Sequence, residues 1–431
     1  MNIPSFIKNN LLLKVTSANT LLVLVRMGFA LISQKALAIL IGAEGIALVG
    51  NLKNVIAFFG QFSILGTSNG LVKYISENRD DKKQLNNLFS TVFVFSIFAA
   101  LVSFVILFFL SDTFNDIIFG TDKNYAYIFK ILSFIIPFMA VNAILSSLLN
   151  GISAYKLYSK TVLSTIIVST FLIVLLTFNK GLKGSLLAIS VIPLIQFISY
   201  LSFFSKRHKA YINLKELFSF NLSFKKQLLS YSVMSVVVIL FINITDIAIR
   251  NLIENRISMR EAGYWTAMTS ISKTYMQFLA AIFPLYILPQ YAKINTTFDF
   301  RKEVKKIYKL LLPLIIMGMV FIYLFRDLII KGLFTDQFLD MTSLFKWQLI
   351  GDLIKFISIV LSYQFLAKKQ MTYFVFTEIL SVLLFYCFSV YFIDIYGTEG
   401  IVIAHFVRYV LYFMVVGYIL RHSFIGENRS L

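Results

Sequence analysis

The chain has 431 residues, 58% hydrophobic and 14% charged, where an ordinary soluble domain carries roughly 25% charged residues. Lys and Arg number 40 against 21 Asp and Glu, a formal net charge of +19, yet the mean hydropathy is +0.80. Disorder and nucleic-acid binding are the usual accounts of such a charge. Both are excluded because 45 Phe and 22 Tyr lie in long apolar runs that water does not tolerate, which leaves the bilayer as the solvent.

Residues 1–14 are polar and no small-residue cleavage site follows them, so the first apolar stretch is expected to stay in place as a helix. A spanning helix needs ~20 mostly apolar residues. Twelve such segments are expected, at 15–41, 46–73, 88–110, 125–150, 161–178, 184–204, 227–250, 262–291, 310–326, 341–366, 371–393 and 399–420. With both termini cytoplasmic, the loops on the inner side hold 24 Lys and Arg and those on the outer side 8, the bias that orients polytopic proteins. The predicted class is therefore an all-α, polytopic membrane protein.

The longest extramembrane piece, 206–226, falls near the middle of the chain and reads as a cytoplasmic linker between six-segment halves at 1–205 and 227–431. Internal similarity agrees. Gly42-Ala-Glu-Gly45 opens the second segment and Glu261-Ala-Gly263 the eighth; Gly181-Leu-Lys-Gly184 opens the sixth and Gly397-Thr-Glu-Gly400 the twelfth. Lys53 and Lys73 bracket most of the second segment as Lys273 and Lys293 do the eighth. An even number of helices per half makes the halves parallel repeats about an axis along the membrane normal.

Eight cations remain inside the expected spans: Arg26, Lys35, Lys53, Lys130, Lys273, Lys346, Lys355 and Arg408. A charge at the bilayer centre costs ~3 kcal/mol on insertion scales, so such groups usually face protein or a watery cavity. The intramembrane acids are Asp246, Asp352 and Glu378, which leaves the interior net positive. By depth, Lys35 and Lys53 lie at similar levels and can meet, and Arg26 and Lys273 are expected near mid-membrane, one from each half; snorkelling or structural pairing is the competing account. Asp352 with Lys355, and Asp246 with Arg250, have the i,i+3 and i,i+4 spacing of self-neutralising pairs. His405, Arg408 and Glu378 are candidates for an ion-coupling site or a buried structural network, while Lys130 and Lys346 lie close enough to the interface to snorkel. Tyr264, Trp265, Tyr275, Trp347 and Tyr363 are expected mainly in core or interfacial packing, with sugar stacking open to any that face a cavity. Pro137, Pro284 and Pro289 mark kinks.

Cys387 is the sole cysteine, no phosphate-binding loop occurs, and the three His residues, 208, 405 and 422, are scattered. ATP hydrolysis, disulfides, a metal centre and a soluble catalytic domain are not expected.

Gly263-Tyr-Trp-Thr-Ala-Met-Thr-Ser-Ile-Ser272, Tyr275-Met-Gln-Phe278, Tyr286-Ile-Leu-Pro289 and Trp347-Gln-Leu-Ile-Gly-Asp352 with Lys355 resemble the O-antigen and enterobacterial-common-antigen (lipid III) flippases. These are polysaccharide transporters of the MATE-like superfamily. Arg26, Lys35 and Lys53 match positions where similar flippases carry Lys or Arg; Lys273 stands where relatives carry an acid after Ser-Ile-Ser. The resemblance implies two six-helix bundles related by pseudo-twofold symmetry and a location in the bacterial cytoplasmic membrane. It implies alternating-access transfer of an undecaprenyl-pyrophosphate-linked oligosaccharide to the periplasmic leaflet. Arg26, Lys35, Lys53 and Lys273 are then expected to bind the pyrophosphate or acidic sugars. The implied partners are that substrate, membrane lipids and the polysaccharide polymerase and chain-length machinery, with no cofactor. A lipid II-type flippase, a drug or cation antiporter of the same fold and a membrane-embedded glycan polymerase are the alternatives. Eight basic against three acidic intramembrane residues weigh against the antiporter, and short outer loops against the polymerase.

Overall fold

The computed structural model describes residues 11–204, 220–280 and 282–424, and its regular elements are helices. Hydrocarbon offers no hydrogen-bond partner to the backbone, so a spanning segment must satisfy its amides internally. In chain order the helices are α1 Leu11–Phe62, α2 Ser68–Glu77, α3 Lys82–Phe109, α4 Ser111–Phe119, α5 Ala126–Gly151, α6 Tyr155–Ser190, α7 Ile192–Phe203 and α8 Lys225–Arg256. There follow α9 Met259–Ala280, a π-helical turn at Phe283–Ile287, α10 Leu288–Lys293, α11 Thr297–Leu324, α12 Arg326–Leu333, a 3₁₀ segment at Asp336–Ser343, α13 Leu344–Ala367, α14 Met371–Tyr396, α15 Thr398–Ile419 and α16 Arg421–Phe424.

Among the described residues, nine helices are long and apolar enough to cross a membrane. The twelve expected segments are recovered when α1 and α6 are each divided at an internal glycine and α9 is taken with the π turn and α10. Gly42 (φ 64°, ψ −167°) divides α1 and Gly181 (φ 54°, ψ −135°) divides α6. Gly397 (φ 60°, ψ −142°) has the same conformation between α14 and α15. That region is open essentially to glycine alone. The second glycine of each Gly-x-x-Gly serves packing: a Cβ on Gly184 would lie 1.8 Å from the Leu176 carbonyl oxygen and one on Gly400 2.2 Å from that of Phe392. The motif therefore reverses the chain at its first glycine and brings the next helix against the last at its second.

The secondary structure repeats with the sequence. The short helices α4 and α12 begin at Ser111 and Arg326, 215 residues apart, each after a long apolar helix. Pro137 is accommodated inside a continuous α5, whereas Pro284 falls in the π turn, the kind of local irregularity that bends a helix. Helix α11 starts 13 residues before the expected span. Thr296 caps it by accepting from the Asp299 amide, and Phe300, Val304, Ile307 and Leu311 form a buried stripe beneath a Lys/Arg-rich face. Average hydropathy conceals such a stripe.

Two compact units emerge, one comprising the chain up to Ala47 together with Ala248 onward, the other Leu48–Ile247. Both boundaries fall within continuous helices. In the second unit, Leu71 and Ile75 of α2 pack with Leu88 and Phe89 of α3, Leu148 of α5 and Leu228 of α8. Asn221 is fastened to α3: its amide donates to Ser90 Oγ at 2.9 Å and its side chain to Asn87 Oδ1 at 3.0 Å. Most of the expected linker, 206–219, and both chain ends, 1–10 and 425–431, lie outside the described residues. Phe109, Phe171, Phe178 and Leu324 are strongly exposed, as side chains facing lipid are.

Gly181→Ala tests the turn: a Cβ there meets no atom within 4 Å, so its cost is conformational. We expect a loss of about 1–3 kcal/mol in thermal unfolding of the detergent-solubilised protein. Gly417→Ala, equally unobstructed but inside α15, is expected to gain up to about 1 kcal/mol.

Candidate functional site

Two of the sequence stretches singled out above converge on one carboxylate. Asp352 of α13 is 0% exposed. Its Oδ2 accepts from Ser272 Oγ at 2.5 Å and Tyr275 Oη at 2.5 Å, both on α9, and from Gln348 Nε2 at 3.1 Å, one turn back on its own helix. Its Oδ1 lies 3.0 Å from Nε2 of His405 on α15. Four donors match the capacity of a carboxylate. Burying such a charge is tolerable only when its lone pairs are filled, so Ser-x-x-Tyr and Gln-x-x-x-Asp are helical spacings that aim two side chains each at one point.

The protonation pattern follows from the partners. Arg408 donates from Nη2 to His405 Nδ1 at 3.2 Å, and arginine has no acceptor, so Nδ1 accepts and Nε2–H donates to Asp352. The Gln348 nitrogen, 3.3 Å from the same Nε2, is then a close contact and not a hydrogen bond. Gly351 makes the approach of α15 feasible, because a Cβ there would lie 2.5 Å from the His405 ring. The Arg408 guanidinium is sandwiched 4.4 Å from the Phe385 ring and 4.2 Å from that of Tyr409. Lys355 Nζ sits 5.6 Å from the other ring contact, Tyr409, and Glu378 of α14 accepts from Tyr412 at 3.0 Å.

Asp352, Lys355, Glu378 and Arg408 thus lie in one compact unit, two acids with two bases, and His405 bridges Asp352 and Arg408. Asp246 is half-buried on α8 in the other unit. Arg250, one turn further along α8, donates to Thr266 Oγ1 at 2.9 Å and lies 5.3 Å from the Trp265 ring.

The four cations expected to bind the pyrophosphate have different settings. Lys35 donates to the carbonyl oxygens of Lys331, at 2.7 Å, and Phe334, so its ammonium compensates the C-terminal end of α12. Arg26 is half-buried, and Lys273 is exposed beside the buried Ser272. Lys53 is exposed and belongs to the other unit. The aromatics are largely packing groups. Tyr264 and Trp265 are 1% and 2% exposed, Tyr363 lies 4.6 Å from Phe283, and Trp347 packs on Phe406 with Lys346 Nζ 5.0 Å away. Sequence spacing alone did not single out Ser272, Tyr275 and Gln348 as partners of Asp352; the family-like stretches containing them were the available signal. Among the described residues no group of three or more His, Cys, Asp or Glu side chains is placed to hold a metal ion.

Asp352→Ala leaves His405 and three other donors without their shared acceptor, and unfolding of the purified protein is expected to show a loss of about 3–5 kcal/mol. Lys273→Ala, at an exposed position, is expected to change stability by less than about 1 kcal/mol. Equal effects would show that the buried network contributes no more than a surface charge.

Residues 12–295 match the family described as polysaccharide biosynthesis protein. The lipid III flippase of Escherichia coli (strain K12) is 28% identical over 407 residues, which cover 92% of this chain and 94% of that one. The lipid III flippase of Shigella flexneri matches to the same extent. Among solved structures, an inward-facing multidrug resistance MATE family transporter superposes with a TM-score of 0.69 at 14% identity, covering 93% of this chain and 98% of that one. Lipid II flippase MurJ in an inward closed conformation superposes with a TM-score of 0.69 at 15% identity, covering 94% and 87%. At those identities the structural likeness establishes the fold, the all-helical MATE-like architecture of a multi-pass membrane protein. With the family model matched over more than half its length, the chain belongs to the polysaccharide biosynthesis protein family.

Proposed function

We propose that the protein is a flippase, not an enzyme, which carries an undecaprenyl-pyrophosphate-linked oligosaccharide of the O-antigen or enterobacterial-common-antigen kind. Transfer runs from the cytoplasmic to the periplasmic leaflet of a bacterial inner membrane. The observation that carries this reading is the near full-length similarity to a lipid III flippase. The excess of basic over acidic residues in the spans supports it, because a pyrophosphate leaving water needs cationic partners in a medium of low dielectric constant.

In this mechanism Arg26, Lys53 and Lys273 meet the pyrophosphate while the glycan stays in water and the polyprenyl chain in lipid. Lys35 has a second task at the end of α12 and so couples substrate binding to local packing. Two six-helix halves, 1–205 and 227–431, give alternating access, with both termini cytoplasmic as the charge bias requires. Asp352, Lys355, Glu378, His405 and Arg408 form a neutral, interlocked set that keeps α9, α13, α14 and α15 moving together or serves ion coupling; Asp246 is a second, separate ion-coupling candidate. The glycan polymerase and chain-length machinery would take the delivered substrate.

Depletion in the native host is expected to accumulate one lipid-linked oligosaccharide in the inner leaflet; accumulation of none removes the flippase reading. Replacing Arg26, Lys35, Lys53 and Lys273 together by Ala is expected to abolish export in a deletion strain. Lys53→Ala and Lys273→Ala singly should reduce export without shifting the melting temperature, whereas Lys35→Ala should lower both. Intact export in the quadruple variant contradicts the cationic site.

A further inference from the structure

A cavity of about 400 Å³ opens among α1, α2, α5 and α7, within the ~300–1,000 Å³ typical of small-molecule pockets. Its walls carry five carboxamides, those of Gln61, Asn69, Asn142, Asn150 and Gln196, with the hydroxyls of Ser146 and Ser147 beside them and no charged side chain. The whole cavity lies within the Leu48–Ile247 unit.

Asn142 is only 5% exposed. Its Nδ2 donates to the Pro193 carbonyl oxygen at 2.7 Å, which fixes the amide plane and leaves Oδ1 with no hydrogen-bond partner among the described residues. A buried, unpaired amide oxygen is unfavourable unless a donor arrives.

The other half of the internal repeat is built without these amides. The second half supplies the comparison at a spacing of 216 residues, that of Gly181 and Gly397. There Asn142 corresponds to Ser358, Asn150 to Leu366 and Gln196 to Tyr412. Ser358 bonds back to its own helix at the Ile354 carbonyl. Tyr412 is 2% exposed and turned to Glu378. Where one half is closed by an aromatic ring, the other is open and lined with groups that both donate and accept.

Carboxamides and hydroxyls in that number suit a ligand whose own surface alternates donors and acceptors. Asn150 donates to the Ser146 carbonyl and Gln61 accepts from Ser68, but an apolar molecule would leave the remaining donors and acceptors, Asn142 Oδ1 among them, without partners, and an anion would find no cation. A sugar ring with hydroxyl or acetamido groups meets both conditions. The lining residue Val72 directly precedes Lys73, in the part of the chain that the charge bias assigns to the cytoplasm. We infer that this pocket is a neutral subsite for one sugar ring of the lipid-linked glycan, separate from the cations that take the pyrophosphate. The inference rests on the proposed flippase function.

The test compares two probes, undecaprenyl pyrophosphate and undecaprenyl-pyrophosphate-N-acetylglucosamine, binding to the full chain in lipid nanodiscs. Wild type is expected to bind the glycosylated probe at least tenfold more tightly. The double variant Gln61→Ala/Asn69→Ala, at partly exposed positions where folding is not at risk, and separately Gln196→Leu, are expected to abolish that preference while affinity for the bare pyrophosphate stays within twofold. Equal affinity of wild type for both probes, an unchanged preference in the variants, or a parallel loss of both probes would overturn the subsite. Failure of wild type to bind either probe would instead overturn the flippase reading.

Discussion

Asp352 accepts hydrogen bonds from Ser272, Tyr275, Gln348 and His405 at a point with no solvent contact. Those donors come from α9, α13 and α15. In a medium where an unpaired charge costs several kcal/mol, the carboxylate fixes the mutual rotation of three helices whose apolar surfaces would otherwise pack in several registers. Lipid provides no hydrophobic drive to join helices, so interhelical hydrogen bonds and close approach through small residues carry the specificity. Gly351 beside His405 supplies that close approach here. Arg408 extends the chain to α14 by stacking on Phe385, which turns a single buried charge into a clamp on four helices.

The same constraint explains why the cations divide into classes. Lys35 has its carbonyl partners on α12, and Lys355 and Arg408 are held among aromatic rings. Lys53 and Lys273, by contrast, are exposed, and in the proposed function it is these that meet an anionic ligand. In the proposed flippase, a charge held by packing keeps the helices in register through a conformational change while an exposed one binds and releases cargo.

The two halves of the sequence share a common frame and diverge within it. The Gly-x-x-Gly turns and the short helices after the third and ninth spans recur at nearly constant spacing. At corresponding positions one half carries Asn142 and Gln196 and the other Ser358 and Tyr412, so a shared backbone supports an open polar pocket in one place and a packed aromatic core in another.

Sequence alone determined the class of solvent, the number of spanning segments, the repeat and the set of intramembrane charges, because hydropathy and charge are additive along a chain and the bilayer reads them locally. It placed the start of α11 thirteen residues late, since an amphipathic helix averages to a polar stretch, and it gave no sign of the contacts that Arg250 makes with Thr266 and Trp265. The tertiary structure decided which charges are buried and which are exposed. It brought Ser272, Tyr275, Gln348 and His405 to Asp352 and opened the amide pocket around Asn142. Such pairings join residues far apart in the chain, and only the packing of helices brings them within hydrogen-bond distance.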